Sequence, residues 1–510
     1  MRDRTVLRRF AVLAALLAGL TQAGGAPSAA AQPRPGPREL AVAAADRLVA
    51  GDPALVHRSP RDAIVRLGVV AGARGLHYVS YGRTYAGLPV RGGDFVVVTD
   101  AAGRVLSTSV AQTRELSVPT EPTIPPAMAA KRARGPLDEV TDRTDPRLAV
   151  VAEGAGRLVY ETVVSGVRDG RPSRFHIFVD ARTGEVTEKW DEVLDGIGNS
   201  HFHGRVEFQT TRSATLFGMS DPVRPGLRCG GTDGRTYTDS DDTWGNGSGT
   251  DLVTACVDAM YEAQKLWDML GGWLGRSGLD GNGRGYSMRV GYDIVNAFFN
   301  YYFAGFGRNA AGTKQMTATD VVAHELGHAI YNASPGSTVP SSLHESTGDI
   351  FGTLTEWYFG DSPDYTVGED VDTVGDGPIR YMYNPAIMPY HASCYDDLIG
   401  EPHADAGVQN HWFYLLAEGS HPNDPSHGRP NSPTCNGASV SGVGIVRAGM
   451  VFMETLNRKT TEWSHIKARR ASLEAARQLF PEECAVFTTV RDAWDAVSVP
   501  ADPYEPPFCS

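Results

Sequence analysis

Lysine is nearly missing from this 510-residue chain: 6 of its 47 basic residues are Lys. The arginines that make up the rest form no basic run and are not interleaved with aromatics, and 60 acidic residues bring the net charge to -13. A nucleic-acid-binding surface is therefore excluded. Cysteine is absent from residues 1–197, and none of the six further on forms a Cys-x-x-Cys pair, which removes the simplest thiolate site for zinc. Past residue 20 no apolar run approaches the roughly 20 residues needed to cross a bilayer, so no membrane partner is expected. No repeat of fixed period is visible.

Against these absences, 41% hydrophobic and 21% charged residues are ordinary for a globular chain with room for two or three cores. Residues 1–31 read as an export signal: a basic start (Arg2, Arg4, Arg8, Arg9), an apolar stretch from Phe10 to Leu20, and small residues ending at Ala31. The mature protein is accordingly expected to be secreted and extracellular. Charge is spread unevenly, +4 over residues 1–197 and -17 over 198–510, which implies two parts. In an exported chain Cys229, Cys256, Cys394, Cys435, Cys484 and Cys509 read as three disulfides, with neighbours paired.

Within the first part, Leu76 to Ala111 alternates apolar and polar residues between Gly and Asp turns, the pattern of a half-buried, hairpin-rich sheet. Arg157 to Val164 and Arg174 to Val179 are further strands, and Pro119 to Pro146 between the two sets reads as a linker or surface helix. From Gly198 to about Met316 short strands alternate with turns, except for a helical stretch from Asp251 to Leu274. From Ala318 onward helices dominate: Ala318–Ala333, Ser346–Phe359, Val408–Glu418, Gly442–Leu456 and Ile466–Phe480. The fold class is α+β. A leader of two small α+β modules (32–197) precedes a β-rich lobe with the active-site helix (198–333) and an α-helical lobe (334–510).

The junction of those lobes holds His324-Glu325-Leu326-Gly327-His328. On a helix, positions i and i+4 share a face, so the two imidazoles stand one turn apart with Glu325 on the adjacent flank. That suits one catalytic Zn²⁺, which takes three protein ligands and keeps one position for water. Glu345, opening the next helical segment, is expected as the third ligand. Asp349, one turn later, is expected to accept the free N–H of His324 or His328. Glu325 is then the general base of a metal-assisted hydrolysis.

At these residues the chain resembles the thermolysin-like neutral metalloproteases. Asn296-Ala297-Phe298-Phe299-Asn300 is similar to their substrate-binding edge strand, Asp320 to Leu326 to their catalytic helix, and Glu345 to Gly352 to their third-ligand helix. Arg380 and His403 fall where the family has a substrate-gripping arginine and its catalytic histidine. His77 to Leu106 and Asp180 to Trp190 resemble parts of the family's propeptide. The resemblance implies a monomeric zinc endopeptidase acting on proteins or peptides, with Asn296, Ala297 and Arg380 binding substrate and His403 assisting catalysis. Val321, Val367, Val371 and Ile379 would line a pocket for a bulky apolar residue after the scissile bond. The leader would serve in cis as chaperone and inhibitor, leaving by cleavage at the small, polar segment Asp195 to Ser200. Asp320, Glu356, Asp364 and Glu369 line up with ligands of one or more structural Ca²⁺.

Three departures from the family pattern follow. The loop from Tyr331 to His344 is short and lacks a tyrosine the family places beside the scissile carbonyl, with His344 where asparagine is common. Leu398 stands where an aspartate should orient His403, so Asp396, Asp397 or Glu401 must substitute; Asp397 is the favoured choice. His411 is read as an exposed helix histidine. The odd loop is also the one argument for a rival reading, a secreted, catalytically weakened binding protein on the same scaffold.

Overall fold

The computed structural model describes residues 35–71, 75–168, 171–212, 216–339, 341–360 and 364–507. The export signal and Cys509 lie outside these residues. The chain divides into two units, Met1–Ser117 with Ala152–Gly156, and Val118–Val151 with Arg157–Ser510.

In the first unit, helix α1 (Pro37–Gly51) starts with Pro at its first position and Glu39 in its first turn, both favourable at a helix N-terminus. Its Ala41, Ala45 and Val49 pack on Val79, Tyr81, Phe95 and Val97. Those residues come from a sheet in which His77–Tyr85 pairs antiparallel with both Asp62–Ala71 and Phe95–Thr99. The strand His77–Tyr85 buries every second residue, as its alternation predicts. Under the sheet, Arg83 and Asp62 form a fully buried ion pair at 2.9 Å. Helix α1 was not foreseen, because its alanines carry little periodic signal.

The second unit begins with helix α2 (Pro126–Arg132) and a sheet in which Arg157–Arg168 pairs with Glu139–Arg143, Arg147–Val151 and Arg171–Asp180. The stretch expected as a linker or surface helix is thus part helix and part strand. The last strand, Val186–Asp191, adds to Arg171–Asp180. The segment expected as a loose cleavage site is instead the strand Leu194–Asn199, paired in register with Arg205–Arg212. Gly198 has no room for a side chain there: a Cβ would meet Val257 at 2.4 Å.

The remainder is β-rich and then helical. Helix α3 (Leu252–Gly272), capped by Asp251 accepting from Thr254 N at 2.8 Å, runs through the core. Helices α4 (Thr319–Ala333) and α5 (Ser342–Phe359) follow, then the short α6 (Pro402–Asp405), the wholly buried α7 (Gly407–Ala417), α8 (Ile445–Asn457), α9 (His465–Leu479) and α10 (Cys484–Ala496). Sequence periodicity missed α10, whose Trp494 stacks on Trp412 of α7 at 4.3 Å. Cys229 pairs with Cys256 and Cys394 with Cys435, the neighbour pairing expected, and Cys484 is also in a disulfide. Among the described residues no helix is long and apolar enough to cross a membrane.

Candidate active site

Two glycines bring the metal-ligating residue types together. Where α4 crosses α5, a Cβ on Gly327 would lie 2.9 Å from Gly348 Cα, and one on Gly348 would lie 2.5 Å from His324 Nδ1. Only bare backbone allows this approach. It carries Glu345, in the first turn of α5, to the face of α4 that presents His324 and His328. Glu345 Oε2 is 3.5 Å from His324 Nε2 and 3.8 Å from His328 Nε2, and all three side chains are buried. Two imidazole nitrogens and one carboxylate oxygen around a common point are a donor set suited to zinc.

The surrounding groups orient that set. Asp349 Oδ1 lies 2.8 Å from His324 Nδ1. A carboxylate only accepts, so Nδ1 carries the proton and Nε2 keeps its lone pair for the metal. Asp349 also accepts from Arg380 Nε and Nη2 at 2.7 and 2.6 Å and from Asn410 Nδ2 at 2.7 Å. Burial would raise the Asp349 carboxyl, but Arg380 and His324 outweigh it and hold it below the usual carboxylate range. Burial likewise pulls His324 down, yet Asp349 and Glu345 push it up to about 10. A pocket that loads a proton so avidly has negative charge for a cation to offset.

Glu325 faces the same cavity, of about 320 Å³, and its buried Oε2 has no hydrogen-bond partner. Burial, reinforced by Glu345 and Asp349 against the pull of His324 and Arg380, pushes its pKa up to about 7, the range in which a carboxylate can both take and return a proton near neutrality. On the opposite wall, Ala297–Phe299 is the outermost strand of a four-stranded sheet and pairs, antiparallel, with Phe303–Phe306. Among the described residues no strand pairs with its other edge, which suits an extended chain. Asn296, Ala297, Arg380 and His403 all line the cavity, as do Val321, Val367 and Ile379. Val371 does not and is fully buried.

His403, on α6, has its Nε2 3.3 Å from Glu345 Oε2 and its Nδ1 3.1 Å from Glu401 Oε1. The partner is therefore Glu401, a correction to the choice of Asp397. Glu401 caps α6 by accepting from Ala404 N at 2.7 Å, which leaves its second oxygen beside the ring. Asp397 instead accepts from Cys394 N at 3.2 Å and closes its own turn. His411 is a second correction. It is buried, with Nδ1 3.0 Å from Ser393 O and Nε2 2.9 Å from Ser432 Oγ, and it lies outside the cavity.

Sequence reasoning gave His344 no role, yet its ring stacks on His328 at 4.0 Å and lines the cavity, with Nδ1 3.6 Å from Glu345 Oε1 and neither buried nitrogen in a hydrogen bond. Its place one residue before Glu345, in the same helical turn, was the available signal.

Away from this cavity, Asp320, Glu356 and Glu369 bring carboxylate oxygens within 4.8 Å of one another. One oxygen of each is buried without a partner. Burial and mutual repulsion raise Asp320 to about 6, Glu369 to about 9 and Glu356 well above the normal range. Asp364 is a near neighbour but spends Oδ1 on Thr366 N and Oγ1, at 2.6 and 2.8 Å.

Residues 195–332 match the family model described as thermolysin metallopeptidase, catalytic domain, and residues 331–499 match its alpha-helical domain. Bacillolysin of Brevibacillus brevis is 30% identical over 457 residues, covering 81% of this chain and 81% of that protein. The chain belongs to the thermolysin metallopeptidase family. Residues 66–110 match the fungalysin/thermolysin propeptide motif, so this zinc metallopeptidase carries an intramolecular propeptide. A transglutaminase-activating metalloprotease of Streptomyces mobaraensis is 35% identical over 466 residues, covering 86% of this chain but 61% of that protein's length. A thermolysin of Alicyclobacillus acidocaldarius subsp. acidocaldarius is 26% identical, covering 86% of both chains.

Proposed function

We propose that the protein is a secreted, monomeric zinc endopeptidase made as a precursor, and that it prefers a bulky apolar residue directly after the scissile bond. The observation that carries this is the convergence of His324, His328 and Glu345 on one point, with the unpartnered Glu325 carboxylate in the same cavity. His324, His328 and Glu345 would hold the metal, which when bound polarises a carbonyl and acidifies water near neutral pH. Glu325 accepts the water proton at Oε2 and returns it to the departing amine. His403 donates from Nε2 to the oxyanion that develops on the scissile carbonyl. Asn296 and Ala297 grip the substrate backbone as an added strand. Arg380, with Nε and Nη2 taken by Asp349, turns its remaining Nη1 to a neighbouring peptide carbonyl. The apolar wall of Val321, Val367 and Ile379 supports the preference for a bulky residue.

Residues 32–197 act in cis as folding aid and temporary inhibitor. The propeptide-motif match over residues 66–110 supports this role. Because Val186–Asp191 and Leu194–Asn199 are both paired strands, maturation cleavage falls between them, at residues 192–193. Disulfide bonding supports an oxidising, extracellular destination. Asp320, Glu356 and Glu369, with Asp364 beside them, hold a structural calcium ion. The rival reading as a binding protein that has lost turnover has no residue in its favour, since Glu325 and His403 both face the cavity.

A casein-clearing assay tests the reading. The processed protein should clear casein, lose this in a zinc chelator and regain it with added zinc. Processed protein that binds zinc but clears nothing would overturn it.

A further inference from the structure

Helix α4 measures out the cleft. At about 1.5 Å per residue, Val321 at its start and His328 one face along are succeeded by the segment 334–339 beyond its C-terminus. Since Val321 belongs to the wall for the residue after the scissile bond, the 334–339 end of α4 faces the residues before it. Across from that end, the edge strand turns back on itself at Asn300–Tyr302. Asn300 Oδ1 accepts from Tyr302 N and Phe303 N at 3.2 and 3.1 Å.

Tyr301, at the tip of this turn, has φ of 71°, a left-handed conformation that an aromatic residue seldom adopts and that persists where its surroundings enforce it. Its hydroxyl donates to Thr338 O at 3.3 Å. Thr338 belongs to a segment anchored from behind: Ser337 N donates to Thr460 O at 3.2 Å, and Lys459 Nζ donates to Ser337 O while lying 4.1 Å over the Tyr331 ring. Tyr301 is therefore tethered to a fixed wall, yet 54% exposed, with Val339 67% exposed on that wall. Its ring continues an aromatic series from the cleft floor, 6.4 Å from Phe299, which in turn meets Tyr286 edge-on at 5.2 Å.

We infer that Tyr301, held open by its tether to Thr338, is a specificity-determining residue. With Phe299 and Val339 it forms an apolar shelf for the second and third residues before the scissile bond, favouring aromatic or large aliphatic side chains there. The inference rests on the proposed function, because the occupant is the same extended substrate that pairs with Ala297–Phe299. An extended peptide alternates its side chains, so one of those two residues must point at the shelf.

The test uses the processed, zinc-loaded enzyme and fluorogenic peptides identical after the scissile bond, carrying Phe, Leu, Gly or Asp at the second and third positions before it. A capped peptide with one residue before the bond serves as reference. The wild type should favour Phe and Leu over Asp about tenfold in kcat/KM, as one apolar contact commonly allows, with the difference in KM. Tyr301→Gly accepts the left-handed backbone without strain and should flatten the profile to within about twofold, while Tyr301→Phe keeps the ring and most of the preference. All three proteins should hydrolyse the reference equally. An undiminished preference in Tyr301→Gly, or a flat profile in the wild type, would overturn the inference while leaving the proposed function standing. If the wild type cleaves none of the peptides, the proposed function fails and this inference with it.

Discussion

Asp349 meets His324 Nδ1 at 2.8 Å and thereby commits the other nitrogen of that ring to the cavity. The same carboxylate takes two bonds from Arg380 and one from Asn410, so a single buried group couples the metal-facing histidine to the substrate-facing arginine. Asp349→Asn keeps the shape but removes the charge. It should weaken zinc binding by about 10- to 100-fold, read by titration against a competing chelator. Unchanged zinc affinity would show that the contact orients nothing.

Glu325→Gln separates holding the metal from moving the proton. The amide cannot take the water proton, so turnover should fall by about a hundred- to ten-thousand-fold with zinc stoichiometry unchanged. His324→Ala and Glu345→Ala should instead lose the metal. Zinc content and peptide hydrolysis, measured on the same preparations, discriminate the two classes.

His403 and two of its candidate partners make a graded series. His403→Ala should lower kcat by about a hundredfold or more, as loss of one oxyanion donor does. Glu401→Gln should lower it less, because the exposed contact is screened by water. Asp397→Ala should leave kcat unchanged. A larger loss in Asp397→Ala than in Glu401→Gln would contradict the geometry.

The carboxylates of Asp320, Glu356 and Glu369 repel one another without a cation. A calcium-selective chelator should therefore lower Tm by several degrees with zinc retained; an ion present at a hundred times its Kd contributes about 3 kcal/mol. Calorimetry with and without calcium measures this, and an unchanged Tm would remove the ion from the reading.

In the precursor, His176 sits between Glu161 Oε1 at 2.7 Å and Glu192 Oε2 at 3.0 Å, its ring stacked on Trp190 at 4.3 Å. Burial lowers its pKa, but the two carboxylates prevail and raise it to about 9. A group whose folded pKa is raised contributes stability that is complete below its ordinary value of about 6.5 and is lost as pH climbs through about 9. Thermal unfolding of the Glu325→Gln precursor should thus show Tm falling between about pH 6.5 and 9 more steeply than in the same protein carrying His176→Phe. Parallel curves would exclude the clasp.

Local spacing along one helix determined much of this protein in advance. His324, Glu325 and His328 could be read from the sequence because i and i+4 fall on one face whatever surrounds the helix. The alternation of His77–Tyr85 is equally local. Other features depend on which distant backbones touch. Gly327 against Gly348 decides that Glu345 reaches the histidines, and capping of α6 decides that Glu401, not Asp397, meets His403. Contacts with the distant Ser393 and Ser432 decide that His411 is buried. Strand pairing turns Leu194–Asn199 from a small, polar linker into sheet, and a hydroxyl reaching Thr338 gives Tyr301 its place. Each of these contacts joins residues whose order along the chain carries no period, so only the folded chain, in which burial and hydrogen bonding are settled together, could select them.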